Sequence, residues 1–290
     1  MKPDSNIAKD LGRRIRERRK KLGITQAQLC GDYMTRNMLS RIETGDANPS
    51  LETLLFIAQK LKLPPSFFLC RDAKEEAEYT KTVRIKDARR MLGTNQYKKC
   101  IDICSELPSD DDEVSFIIVN AQIMWAISFF DKGELIEAMQ HLEYAETALH
   151  QTVYMFSEML SQIKFLRGLI RSLSEGELPD ESILPRTVPV FFSKDRFFYI
   201  TALQARGFPK ECLSEQSIYR AHLEARELMR GEAYSDACEL LERVLADAPD
   251  AFTRYFAILD LEKCKSKLDD FKSAYEYAKR RMELHDKYTL

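Results

Sequence analysis

The sequence predicts an all-α protein: a small N-terminal domain of five short helices followed by an α-solenoid of helical hairpins. Three observations predict it. Apolar residues recur at spacings of three and four, the helical period, rather than two. Glycine, proline and helix-capping residues punctuate residues 1–70 at short intervals. Farther along, an aromatic residue followed three positions later by a small one returns several times.

At 290 residues the chain exceeds one small domain. Hydrophobic content of 44% with 10% aromatics supplies a core, and 31% charge covers its surface, which excludes a disordered chain. The net charge of −2 conceals an asymmetry. Residues 1–70 hold thirteen Lys/Arg against seven Asp/Glu, or +6, leaving 31 against 39, or −8, for the rest. A basic small domain beside an acidic larger one is expected to meet polyanions through the first alone. The seven cysteines, Cys30, Cys70, Cys100, Cys104, Cys212, Cys238 and Cys264, form no CxxC pair and point to a reducing cytoplasm. The N-terminus carries no apolar leader, and the most apolar run, from Val114 to Phe130, is interrupted by Asn120 and Gln122. It reads as a buried helix, so a cytoplasmic protein without a membrane partner is expected.

Within residues 1–70, Ile7, Leu11, Ile15 and Leu22 recur at helical spacing, while Arg13, Arg14, Arg16, Arg18, Arg19, Lys20 and Lys21 cover the remaining circumference. Gly23 ends this helix. Thr25 stands at an N-cap for a short helix from Gln26 to Cys30. A second start follows at Thr35, with Leu39 and Ile42 inward, Arg36, Asn37, Ser40 and Arg41 on the opposite face, and Gly45 closing the helix. After the turn 46–49, Ser50 caps a fourth helix whose core stripe reads Leu51, Leu54, Leu55, Ala58 and Leu61. Pro64 and Pro65 break it, and Phe67 and Phe68 pack a last short turn.

The string GITQAQLCGDYMTRNMLSRIETGDANPSLETLLFIAQKL closely resembles the helix-turn-helix domain of the Cro and phage-repressor (XRE-type) family. It shares the Thr-Gln opening, the Arg-Ile-Glu-x-Gly helix end and the Pro-Ser-Leu-x-Thr-Leu entry. The resemblance implies that Thr35 to Glu43 is a recognition helix in the major groove of double-stranded DNA, with Arg36, Asn37, Ser40 and Arg41 facing base edges and nearby phosphates. It also implies that Gln26 meets the DNA backbone. The residue types agree, since Arg pairs two donors with guanine, Asn pairs with adenine and Ser accepts either. The turn Cys30-Gly31-Asp32-Tyr33-Met34 is a residue shorter than the family's usual one, a form similar to the Rgg-type regulators of Gram-positive bacteria.

The charged stretch 72–82 begins a linker helix over residues 71–92, with no Gly/Ser tether, so the two domains are expected to be mechanically coupled. Residues 93–290 form the array. Gly231 to Ala237, with Leu241, Val244, Leu245 and Pro249, resembles half of a tetratricopeptide repeat: Tyr234 follows the turn and Ala237 comes three later. Phe271 and Ala274 repeat that start. Residues 96–100 and 133–138 are weaker copies, ending at Cys100 and Ala138. A small residue lets two helices approach at their crossing. The proline-containing segment 175–195 interrupts the series and reads as a loop between two subarrays.

Helical-hairpin arrays present a concave groove suited to an extended peptide or a partner's helix. Asn120 either clamps a peptide backbone or satisfies a neighbouring carbonyl in the core; Gln162, Lys164 and Arg167 stand as similar candidates. Catalytic signatures are absent: His141, His150, His222 and His285 have no metal spacing, and no Gly-rich phosphate loop or GxSxG elbow occurs. Cys100 and Cys104 form either a thiol pair or, with Cys104 at a repeat position, part of a core. The run Asp110 to Glu113 reads as a turn capping the next helix rather than a cation loop. No cofactor, metal or enzyme activity is expected. The domain order and length resemble the Rgg/PlcR group of peptide-sensing, quorum-sensing regulators, which implies a homodimer on DNA controlled by a signalling peptide. The alternative is a DNA-bound scaffold whose array recruits a partner protein.

Overall fold

The computed structural model describes residues 5–70, 73–108, 111–150, 152, 157–178, 184–185, 187–204 and 213–288. Asp72, Asp110, Pro179 and Cys212 lie outside these. Among the described residues the only regular elements are helices, in two compact units, Met1–Lys86 and Asp87–Leu290. The division falls inside the linker helix rather than at either of its ends.

The first unit holds α1 (Ser5–Lys21), α2 (Gln26–Cys30), α3 (Arg36–Thr44), α4 (Leu51–Lys60), α5 (Pro65–Phe68) and the start of α6 (Ala73–Gly93). Each expected cap forms. Thr25 accepts from the Gln28 amide and Gln28 reaches back to the Thr25 amide, a capping box; Thr35 accepts from Met38 and Ser50 from Thr53. The core is Leu11, Ile15, Leu29, Leu39, Ile42, Leu54, Ile57, Ala58, Leu61 and Phe68. Four residues assigned to it by spacing lie outside it. Ile7 and Leu22 are exposed near the ends of α1, and Leu51 and Leu55 are 70% and 49% exposed. Ile57 draws the inward face of α4 onto Leu54, Ala58 and Leu61, which turns Leu55 away.

Arg14 is the opposite correction. It stands three after Leu11 and one before Ile15, so the helix carries it inward, and it is 2% exposed. Its guanidinium donates to the Cys70 carbonyl and, at 2.9 Å, to Glu76, so a buried charge is compensated and the start of α6 is tied to α1. Gly12 sits where α1 crosses the end of α3: a Cβ there would lie 2.2 Å from the Ile42 carbonyl oxygen.

The second unit continues with α7 (Tyr97–Ser105), α8 (Asp112–Lys132), α9 (Leu135–His150), α10 (Ser157–Glu175), α11 (Lys194–Gln204), α12 (Ile218–Arg230), α13 (Tyr234–Ala246), α14 (Ala251–Lys267) and α15 (Phe271–Tyr288). Neighbours in sequence pack on one another, as in helical-repeat arrays. The four copies read from the sequence fall on the hairpin turns into α7, α9, α13 and α15. In each, the small residue, Cys100, Ala138, Ala237 or Ala274, is the fourth of its helix and is buried. The repeat position in α7 is thus Cys100, with Cys104 one turn beyond it, also buried. In each, too, the residue two before the helix has a left-handed backbone: Asn95 (φ 58°), Gly133 (φ 79°), Glu232 (φ 61°) and Asp269 (φ 57°). One backbone turn therefore serves four hairpins with four different residues.

The apolar helix α8 is long and hydrophobic enough to cross a membrane by composition. In the fold its Val119, Ile123, Ala126 and Phe130 instead enter the main core with residues of α9, α10 and α14. Asp111 caps it, accepting from the Glu113 and Val114 amides, as the acidic run suggested. Contacts of α8 and α10 with α14, and of α10 with α15, add to the neighbour packing. Tyr288, 1% exposed, lies against the turn at Gly133, where an added Cβ would come within 2.1 Å of its ring.

Candidate nucleic-acid interface

The two faces of α3 differ completely. Leu39 and Ile42 are fully buried, whereas Arg36, Asn37 and Arg41 are exposed and Ser40 is half-buried. None of those four side chains is hydrogen-bonded to another described side chain. Thr35, at the N-cap, is exposed with its hydroxyl committed to the Met38 amide. Gly45 ends the helix in the left-handed region (φ 81°) and its missing Cβ makes room for Lys9 of α1.

What holds α3 in place is a buried carboxylate. Glu43, 6% exposed, accepts from Arg19 Nε at 2.6 Å and Arg19 Nη2 at 3.0 Å, a two-pronged pair linking α1 to α3. Gln26 donates its Nε2 to the same carboxylate at 2.9 Å, so the first residue of α2 is fixed against α3. Arg19 also donates to the Ile24 carbonyl. Spacing alone does not separate Arg19 from its basic neighbours; the Glu of Arg-Ile-Glu-x-Gly was the available signal.

The basic residues of α1 then divide. Arg14 and Arg19 are internal clamps, Arg18 donates to the Leu61 carbonyl, and Arg13 pairs with Glu17 and Glu76. Arg16 and Lys20 remain exposed without an ion pair among the described residues, and both line a cleft of about 550 Å³ with Gln26, Arg36, Ser40 and Thr44. That cleft carries cations from α1 and α3, a charge that suits an anion such as a phosphate.

In the second unit the four groove candidates do not form one bonded set. Asn120 donates to the Phe116 carbonyl of its own helix at 2.7 Å and is partly exposed. Gln162 is 4% exposed, with its Oε1 unbonded among the described residues. Arg167 pairs with Glu146 at 2.6 Å, and Lys164 is exposed. No group of three or more metal-ligating side chains occurs among the described residues.

Residues 15–68 match the helix-turn-helix family HTH_3, the stretch that contains α2, its turn and α3. No curated protein matches the sequence significantly. Among solved structures the chain is similar to PlcR of Bacillus thuringiensis in complex with the peptide PapR7 and DNA, at 17% identity over 97% of each chain, with a TM-score of 0.24. The apo form of the competence regulator ComR from Streptococcus vestibularis gives 18% identity over 97% of this chain and 96% of that one, with a TM-score of 0.22. The complex of PrgX with iCF10 gives 12% identity over 90% of this chain and 97% of that one, with a TM-score of 0.22.

Proposed function

With residues 15–68 a helix-turn-helix DNA-binding domain, we propose that the chain is a sequence-specific transcription regulator that binds DNA as a homodimer and is controlled by a peptide or other ligand held in its helical array. One observation carries the DNA-binding half: Arg36, Asn37 and Arg41 project unpaired from a helix whose other face is locked by Leu39, Ile42 and Glu43. Side chains held on a rigid helix and left without internal partners are available to base edges. Gln26 and Thr35 position the helix, and Arg16 and Lys20 add backbone phosphate contacts. A homodimer would set two such helices in major grooves one turn of DNA apart. The six described cysteines are free and buried, in keeping with action in a reducing cytoplasm.

A ligand acts only through unequal affinity for two states of the dimer, so the array is its natural seat and the DNA-binding domain its readout. The scaffold reading keeps one observation in its favour. Phe271, Tyr275 and Met282 of α15 are 64%, 71% and 59% exposed, a row that a recruited protein would cover.

The test is selection of bound fragments from random-sequence genomic DNA at several salt concentrations. Recovery of a two-fold symmetric site with half-sites about one helical turn apart is the expected result. Binding that never exceeds a salt-sensitive, sequence-independent background would defeat the reading.

A further inference from the structure

A second cleft, of about 480 Å³, opens in the array between α12 and α14. Its size lies within the range of about 300–1,000 Å³ usual for small-ligand sites. Apolar walls come from Met229, Phe256 and Leu259, and cations from Arg226, Arg230 and Lys263.

Arg226 is built in rather than incidental. Its side chain is 15% exposed, and its Nε donates to Asp260 at 2.5 Å. Asp260, itself buried, also accepts from His222 Nε2 at 3.1 Å, and His222 Nδ1 pairs with the Tyr199 hydroxyl at 2.8 Å. With Nε2 facing a carboxylate, His222 donates there and accepts from Tyr199. Both bonds fall on Asp260 Oδ2, and Oδ1 has Lys263 at 3.8 Å. The only other bond from Arg226 to a described residue is Nη1 to the Leu203 carbonyl, at 3.4 Å. One edge of a fixed, planar guanidinium is left to the cleft, the fork that matches a second carboxylate.

Around it, Arg230 is exposed and has no ion pair among the described residues, and Lys263 lies 3.8 Å from Asp260, beyond hydrogen-bond length. Glu177 at the rim is the opposing charge. Three cations against one buried, already paired acid and one rim acid make a site for an anion, and its walls ask for an apolar body beside that anion.

We propose that this cleft binds the carboxylate of an apolar ligand, held by Arg226 and Arg230 with its hydrocarbon part against Met229, Phe256 and Leu259. The proposal rests on the ligand-controlled reading of the array and gives the ligand a chemistry. The carboxylate belongs to the C-terminus of a short apolar peptide or to a free organic acid.

Calorimetric titration of the full chain without DNA separates these. The probes are acetyl-leucyl-leucine, its C-terminal amide, and octanoate. The acid form of the dipeptide should bind roughly tenfold more tightly than the amide, the effect of a hydrogen bond to a charged group. Arg230→Gln, at an exposed position, should remove most of that difference and leave the amide unchanged. Arg226→Lys should do the same, since an ammonium cannot replace the fork. Tighter binding of the dipeptide than of octanoate identifies a peptide terminus, and the reverse a free acid. Equal binding of acid and amide, indifference of the acid to Arg230→Gln, or no binding of either dipeptide form at millimolar concentration would overturn the proposal. DNA selection is read independently: failure there with acid binding intact removes the regulator and spares the cleft.

Discussion

The DNA-binding domain and the helical array solve the same packing problem differently. Where α1 crosses α3, backbone meets backbone: Gly12 has no room for a Cβ, Gly45 admits Lys9, and a two-pronged Arg19–Glu43 pair fixes the angle. Where hairpins of the array cross, a buried Ala or Cys separates the helices, and the turn before it repeats one left-handed conformation. The first solution fixes one helix, α3, at one angle. The second is a repeated part, tolerant of what residue fills it.

That contrast is broken most directly at the crossings. Gly12→Val should cost about 3 kcal/mol or more, because the atom in its way is backbone, whereas Ala237→Leu should cost about 1–3 kcal/mol by overpacking side chains. Urea unfolding of each variant gives the comparison, and equal costs would erase the distinction. Glu43→Ala should destabilise the first unit by about 2–3 kcal/mol, somewhat less than for a fully buried pair because Arg19 keeps 12% exposure. It should also loosen Gln26 and weaken binding to every DNA sequence, as a mobility-shift series would register.

At the interface itself, Arg36→Ala should cost about 1–3 kcal/mol and relax preference at a base pair, while Arg16→Ala should weaken all sequences alike and lower the salt slope by about one. If the two variants behave identically, α3 is not the reading helix. In the array, burial lowers the pKa of His222 and of His141. Their folded forms refuse a proton that the unfolded chain accepts below about pH 6.5, so stability is retained at neutral pH and falls as pH drops through that value. The unfolding midpoint should therefore be lower at pH 5.5 than at pH 7.5, and His222→Gln should shrink the difference. The smallest effect is a gain: Glu232→Gly should stabilise its hairpin by about 0.5–1 kcal/mol by relieving a left-handed glutamate.

The first domain was almost wholly legible because its signals are local. Thr25, Thr35, Ser50 and Gly45 act within one turn of where they stand, and each forms the cap its type suggests. What spacing missed depends on distant partners. Arg14 becomes internal only because the Cys70 carbonyl and Glu76 meet it, and Leu55 is exposed because Ile57 claims the inward face. In the array the small residues were visible at all four hairpins, but the shared turn was not: Asn, Gly, Glu and Asp have no common signature for one backbone angle. Among the groove candidates, the bond of Asn120 to the Phe116 carbonyl was one of the two readings open to it, whereas the pairing of Arg167 with Glu146 depends on a partner in another helix that spacing does not show.

Tyr288 has a consequence for how the chain is made. It is buried against Gly133, a residue from the early part of the array, so packing begun at α8 and α9 is finished by the last residue described. A ribosome adding about 5–20 residues per second leaves that turn uncovered for many seconds after it emerges. A nascent array of this kind passes through an interval of exposed apolar surface, and chains cut short before Tyr288 would remain in it.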